Sequence, residues 1–278
     1  MIEKILISWE DFEDELTGIN EETKSLQEKE QGHVSYPLFR GVNNSEYHLE
    51  STLDRIQKEM SVSDYQTILE IVHKHVATCT GRKWDLNEEI NYERGFKLPA
   101  YGFMAYLRHN GFPSPLIDWT RSPYIAAFFA FRKLHSIANH KEYVSIYVYR
   151  EYCGTVGKGW LSNEPHVHTL GSTIATDSKH YLQQSEYSFC IKKKSGDKWV
   201  YANHEDITPY MIEDTPAQDD LAKYTIPVSE QKKVLKKLDS MNITAYSLFN
   251  SEPSLMETLA LREIVFEMEN RLLASKDE

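Results

Sequence analysis

Between residues 8 and 28, apolar positions fall at Trp9, Phe12, Leu16 and Ile19. These steps of three and four predict an amphipathic helix capped by Ser8. "LQEKEQGHVSYP" ends it, with Gly32 as punctuation and Pro37 entering an extended segment. A second stripe, Tyr65, Ile68, Leu69, Val72 and Val76, predicts a helix opened by a Ser63/Gln66 capping box. His73 and His75 on that helix are two apart and point to different sides. Residues 98–110 read as a third helix, running into a turn marked by Gly111, Pro113 and Pro115.

"LIDWT" (116–120) starts apolar, as a buried strand does, and Ser122-Pro123 then supplies an N-cap with proline at the first helical position. The helix that follows, "YIAAFFAF", is apolar nearly all round, which places it in the core. In "YVSIYVYR" (143–150), Val144, Ile146 and Val148 alternate with Tyr143, Tyr147 and Tyr149, the period of a strand. Further strands are expected at 186–193, 198–201 and 223–228, with helices at 229–241 and from about 254 to 273. Helices early and late with strands between predict an α+β fold with a mixed or antiparallel central sheet and flanking helices. The expected organisation is one domain over 1–278: an N-terminal helix over 1–30, a core over 31–260 and a C-terminal helix over 254–278.

Composition narrows the class. With 278 residues, 41% hydrophobic, the chain can bury a sizeable core. A formal net charge of −11 argues against a broad nucleic-acid-binding face but leaves room for a local basic groove. Cys79, Cys153 and Cys190 are far apart and form no CxxC pair, as expected of reduced thiols. The N-terminal patch meets an acidic run in "MIEKILISWEDFEDE", and nothing approaches the ~20 apolar residues of a membrane span. The expectation is a cytoplasmic protein with no membrane contact.

Three stretches carry candidate chemistry. Arg40 closes the apolar run "YPLFR", where its planar fork of donors suits phosphate or carboxylate. Gly41 beside it would let the backbone approach a pyrophosphate, and Asn43, Asn44, Tyr36 and Phe39 suit a nucleotide pocket. A structural ion pair explains a lone arginine equally well, and the residues alone leave both readings open. In the second stretch Asp118 and Thr120 alternate with Ile117 and Trp119 and so share a face. Ser122 follows at a helix N-terminus, where backbone N–H groups favour anions; Asp118 and Ser122 also serve as plain caps. In the third, Gln184 and Glu186 sit two apart at the start of a strand, so their side chains are expected on one face.

Other polar clusters say less. His166 and His168 read as loop histidines, since two ligands do not make a zinc site. Lys192, Lys193, Lys194 and Lys198 read as a solvated turn and as the best local contact for a phosphate backbone. No P-loop, GxGxxG, HExxH or GxSxG pattern occurs.

"LFRGVNNSEYHLESTLDR" resembles the first block of the FRG domain family, an aromatic-Arg-Gly followed by an aromatic, a leucine and a further arginine. "LRHNGFPSPLIDWTRSPYIAAFFAF" resembles its second, His-x-Gly-x-Pro-Thr-Arg-Leu-Leu-Asp-Trp-Thr before an alanine-rich apolar helix. "YTIPVSEQKKVLKKLDSMNITAYSLF" is similar to its third, so the likeness spans roughly residues 30–260. The chain departs from the pattern at Arg108, usually Gln, at Ser114-Pro115, usually Thr-Arg, and at Asn250-Ser251, usually Pro-Asp.

The order of elements also resembles that of mono-ADP-ribosyltransferases: an early arginine, a hydroxyl-bearing strand leading into an Ala/Phe-rich helix, then a Gln-x-Glu. Here one threonine stands for the usual three hydroxyl residues. The resemblance implies NAD as co-substrate, with its pyrophosphate on Arg40, and no metal. Tyr36, Tyr47 or Tyr187 would cover the nicotinamide, with His109 bracing that side. Glu186 would stabilise the oxocarbenium-like ribose or take a proton from the nucleophile, and Gln184 would orient the acceptor. The expected role is that of an intracellular toxin or phage-defence effector held in check by an antitoxin or inhibitory partner. Its acceptor would be RNA or DNA ahead of protein. The alternative is a nucleotide sensor or partner-binding module without chemistry; a nuclease is disfavoured because no acidic cluster has metal-ligand spacing.

Overall fold

The computed structural model describes residues 1–28, 32–87, 89–91, 97–133, 143–154, 164–171, 178–196, 198–207, 211–212, 215–216 and 219–267. The strands are β1 (Ile2–Ile5), β2 (Gly32–Val34), β3 (Leu38–Val42), β4 (Glu89–Asn91), β5 (Lys97–Pro99), β6 (Ile117–Thr120) and β7 (Tyr143–Arg150). After them come β8 (Tyr152–Gly154), β9 (His166–Thr169), β10 (Ser185–Lys194), β11 (Lys198–Tyr201), β12 (Met211–Ile212), β13 (Thr215–Pro216) and β14 (Asp220–Pro227). Eight of these make one sheet in the order β1-β14-β7-β3-β6-β10-β11, with β9 also paired to β10. Only β1 runs parallel to its neighbour, so the sheet is mixed and mostly antiparallel.

The helices are α1 (Trp9–Glu28), α2 (Val62–Thr80), α3 (Tyr101–His109), α4 (Pro123–Phe131), α5 (Ser178–Leu182), α6 (Gln231–Ser240), α7 (Ala245–Phe249) and α8 (Glu252–Ala260). The class is α+β, as the element order implied. Ser8 caps α1 as expected: its Oγ accepts from Asp11 N–H, and Asp11 Oδ2 in turn accepts from Ser8 N–H. At α2 the cap differs from expectation. Ser61, not Ser63, accepts the Asp64 N–H, because the helix starts at Val62 and places Ser63 inside the first turn.

The expected alternation in β7 is present, but both of its faces are buried. Val144, Ile146 and Val148 join a core of α1, α4 and α6 residues, while Tyr147 and Tyr149 join Leu38, Ile117 and Trp119 on the opposite face. Beside β10, a third cluster packs Tyr65 and Leu69 of α2 and Phe103 and Met104 of α3 against Tyr187, Phe189 and Ile191. The final helix ends its α-helical part at Ala260 and continues as a π-helical turn over Leu261–Phe266; the expected extension to 273 lies outside the described residues. Among the described residues no helix is long and apolar enough to cross a membrane.

Candidate functional site

Register brings the three motif stretches together. Arg40 is on β3, Asp118 and Thr120 on β6, and Glu186 on β10, and these three strands are consecutive neighbours. Phe39 pairs with Thr120, and Thr120 with Ser185, so one row crosses all three strands. At the usual strand spacing that row is roughly 10 Å from end to end. Arg40 and Glu186 each follow it by one residue.

Two cavities meet at this row, and Phe39 lines both. The smaller, 230 Å³, is lined by Arg40, Gly41, His109, Asp118, Thr120 and Ser185 among others. The larger, 630 Å³, is lined by Tyr36, Phe39, Arg121, Pro123, Thr169 and Glu186 among others, a size in the range of ligand clefts. Arg40 and Glu186 therefore border these two neighbouring cavities, one each, among the described residues.

Arg40 donates from Nη1 to the Asp118 carbonyl at 2.6 Å and stands 3.7 Å from Asp118 Oδ2. Arg108 Nη2 reaches the same oxygen at 2.6 Å, so two guanidinium groups share one carboxylate. Burial lowers the Arg40 pKa first; the Asp118 charge opposes this, while Arg108 and Arg55 add repulsion. An arginine keeps its charge under such a shift, leaving this corner with more positive charge than Asp118 can balance. The departure at Arg108 thus gives the site a guanidinium, while Ser114-Pro115 lacks the one usual there. Ser114 is fully buried and bonds the 52–53 turn instead.

Several expected roles change. Gly41 does admit a close neighbour, but it is helix α4: a Cβ here would lie 1.8 Å from the Ala126 carbonyl oxygen. Thr120 Oγ1 donates to the Gln183 carbonyl and accepts from Ser122 N–H, so this hydroxyl braces the turn before β10. Ser122 caps α4 through Ile125 N–H, as the sequence predicts. Gln184 does not share a face with Glu186: it precedes the strand in a left-handed conformation, φ 48°, and is exposed. Glu186 is buried, and its Oε2 accepts from Arg121 Nε at 3.1 Å. Arg121 is a site residue the motif reading missed; its place between Thr120 and Ser122 was the available signal.

The aromatic residues divide between cavities. Tyr36 is exposed on the Glu186 side, whereas Tyr47 lines a third cavity beside Arg40. Tyr187 is buried, takes a very short hydrogen bond with His109 Nε2, and stacks on His180 at 5.3 Å. Burial, then the Asp118 charge, pushes the Tyr187 hydroxyl pKa up, so it stays protonated. On the opposite face of the sheet Trp119 Nε1 donates to Ser188 Oγ, which also meets His204 Nε2.

The remaining clusters are structural. Lys192 lies 2.6 Å from Glu59, Lys194 is tightly paired with the same carboxylate, and Lys193 lies over the Trp199 ring. These pairs hold the Glu59 pKa down at about 2. Lys192, Lys193 and Lys194 are thus engaged, and Lys198 of the same hairpin is exposed. His166 and His168 are on strand β9 rather than in a loop, with rings 5.0 Å apart, and His168 stacks on Phe189. No group of three His, Cys, Asp or Glu positioned to hold a metal occurs among the described residues. Cys79 and Cys190 are free thiols.

Residues 35–138 match the FRG domain family. The match takes in Tyr36, Arg40, Gly41, Tyr47, His109, Asp118, Thr120 and Ser122 and stops before β10 and Glu186. Neither a search of curated proteins nor one of solved structures returned a match.

Proposed function

We propose that this protein, whose residues 35–138 carry an FRG domain, is an ADP-ribosyltransferase that binds NAD across the row of β3, β6 and β10 and modifies a macromolecule. The observation that carries the reading is the adjacency of the three motif strands, with Arg40 and Glu186 one residue beyond a shared row. Residues far apart in sequence meet there through register alone.

In this reading Arg40 takes phosphate, because its charge is only partly balanced by a carboxylate that Arg108 also holds. Glu186 acts at the ribose. Arg121 occupies Oε2, while Oε1 has no hydrogen-bond partner among the described residues and is open to a ribose hydroxyl. The bond from nicotinamide to C1′ breaks, with its electron pair leaving on nicotinamide. A bond forms from C1′ to an acceptor oxygen or nitrogen, which gives up its proton. Glu186 stabilises the positive charge that develops on the ribose between these events. The proposed setting is cytoplasmic, as a toxin or defence effector restrained by a partner.

One observation favours binding without chemistry. Gln184 is exposed in a turn outside the strand, so nothing at that position faces the Glu186 cavity to orient an acceptor. The two readings separate in one experiment. The purified parent, Glu186→Gln and Arg40→Ala are incubated with adenylate-labelled NAD and lysate divided into nuclease- and protease-treated halves. Transfer by the parent, reduced ~10²–10³-fold in Glu186→Gln, is expected. NAD binding without transfer or nicotinamide release would leave the sensor. No NAD binding would remove both.

A further inference from the structure

Beside Arg40 a third cavity, of 520 Å³, opens between the loop after β3 and the end of α4. Its basic lining is Arg40, His48, Arg55, Arg132 and Lys133, faced by Glu257. That carboxylate is already held by Arg132 Nε and Nη2, each at 2.6 Å. Arg40 is engaged by Asp118 and His48 by Glu205. Arg55 and Lys133, both exposed, have no acidic partner among the described residues. Arg55 is set at the rim by the turn before it, where Ser51 and Asp54 bond each other through both side chains and backbone. Half-exposed Tyr47 lines the same cavity, its carbonyl held by the Tyr147 hydroxyl at 2.9 Å.

We propose that this cavity docks a single-stranded nucleic acid, with phosphates on Arg55 and Lys133 and a base stacked on Tyr47. A protein of net charge −11 repels polyanions over most of its surface, so an unneutralised basic concavity marks a local site. Guanidinium and ammonium donors beside an exposed aromatic ring are the elements of sequence-tolerant single-strand recognition. An acidic peptide would use the cations and leave the ring idle. The cavity shares Arg40, Gly41 and Phe129 with the 230 Å³ cleft, so a strand seated here leads to the reacting row. Its role as acceptor dock rests on the transferase reading; the binding itself does not.

The test is fluorescence anisotropy of a labelled oligouridylate of ~12 nucleotides, within the usual single-strand site size, against the full chain without NAD across a salt series. The parent binds, and affinity falls as salt rises. Arg55→Glu with Lys133→Glu weakens binding at least tenfold and flattens the log–log salt slope by about 1.4, ~0.7 per lost phosphate contact. Tyr47→Ala weakens binding about fivefold or more with the slope unchanged. Lys193→Glu with Lys198→Glu, on the β10–β11 hairpin and outside the cavity lining, binds as the parent does. Absence of binding, equal loss in that hairpin pair, or displacement of the RNA by polyglutamate or by NAD overturns the proposal. RNA binding without any label transfer sinks the transferase alone. Transfer to protein with no RNA binding sinks the dock alone.

Discussion

Arg121 donates from Nε to Glu186 Oε2 across 3.1 Å, and the partners are unequally buried, the arginine side chain 50% exposed and the glutamate 11%. That asymmetry predicts which partner is costly to remove. Arg121→Ala leaves a buried carboxylate oxygen without its donor, a loss of about 1–3 kcal/mol. Glu186→Gln leaves a half-exposed guanidinium that water can solvate, a loss below about 1 kcal/mol. Urea midpoints at unchanged slope measure both. The opposite ranking would mean that the pair does not hold in solution. The ranking also separates structure from chemistry, because the variant expected to lose transfer is the one expected to keep its fold.

Gly41 gives a sharper packing test. A methyl group there meets the Ala126 carbonyl oxygen at 1.8 Å and Ala130 N at 2.7 Å, both backbone atoms of α4. No rotamer change relieves such a contact. Gly41→Ala must push α4 off β3, and a loss at or above the ~1–3 kcal/mol typical of overpacking is expected, with Arg40 displaced along with the strand. Thermal unfolding of the variant checks it. Parent-like melting would show that α4 does not rest on this glycine.

The two serines at the head of α2 distinguish a cap from a first-turn residue. Ser61 Oγ accepts from Asp64 N–H at 3.1 Å, and the Ser61 backbone is extended. Ser61→Ala should cost about 1 kcal/mol. Ser63→Ala, at an exposed helical position, should stay within about 0.5 kcal/mol. Equal effects would return the cap to Ser63.

These cases mark how far the pattern of residues reaches. The stripe of Trp9, Phe12 and Leu16, the short strand at 117–120 and the Ser122 cap were all legible, because each depends on neighbours within a few positions. β1 was not. All four of its residues are exposed, so its place comes from backbone pairing with Ala222–Thr225 and not from a buried face. A glycine beside an arginine reads alike whether a ligand or a helix approaches it; only the fold decides in favour of α4. Gln184 looked like part of a strand until the α5–β10 turn set its φ positive. The separation of Arg40 and Glu186 into neighbouring cavities depends on long-range register, which no local spacing encodes.

His204 yields a prediction in pH. It is buried, and Trp119 Nε1 donates to Ser188 Oγ at 2.7 Å while Ser188 Oγ lies 2.9 Å from His204 Nε2. Satisfying all three groups has Ser188 donating to Nε2, which puts the ring proton on Nδ1, an atom without a partner among the described residues. Burial first, and then the charge of Arg40, pushes the His204 pKa down to about 3 from the ordinary 6.5. Above 6.5 the imidazole is neutral whether the chain is folded or not, and it contributes no pH dependence. Between 6.5 and about 3 the unfolded chain takes up a proton that the folded one refuses, so stability falls as pH falls. The slope from this residue approaches about 1.4 kcal/mol per pH unit. His204→Gln removes that one proton and leaves every other titrating group in place. Urea unfolding of parent and variant between about pH 7 and pH 4.5 should therefore give curves that converge toward acid. Parallel curves would mean that His204 can be protonated in the folded protein, and that the Trp119–Ser188–His204 chain beneath the Arg40 corner is not closed to water.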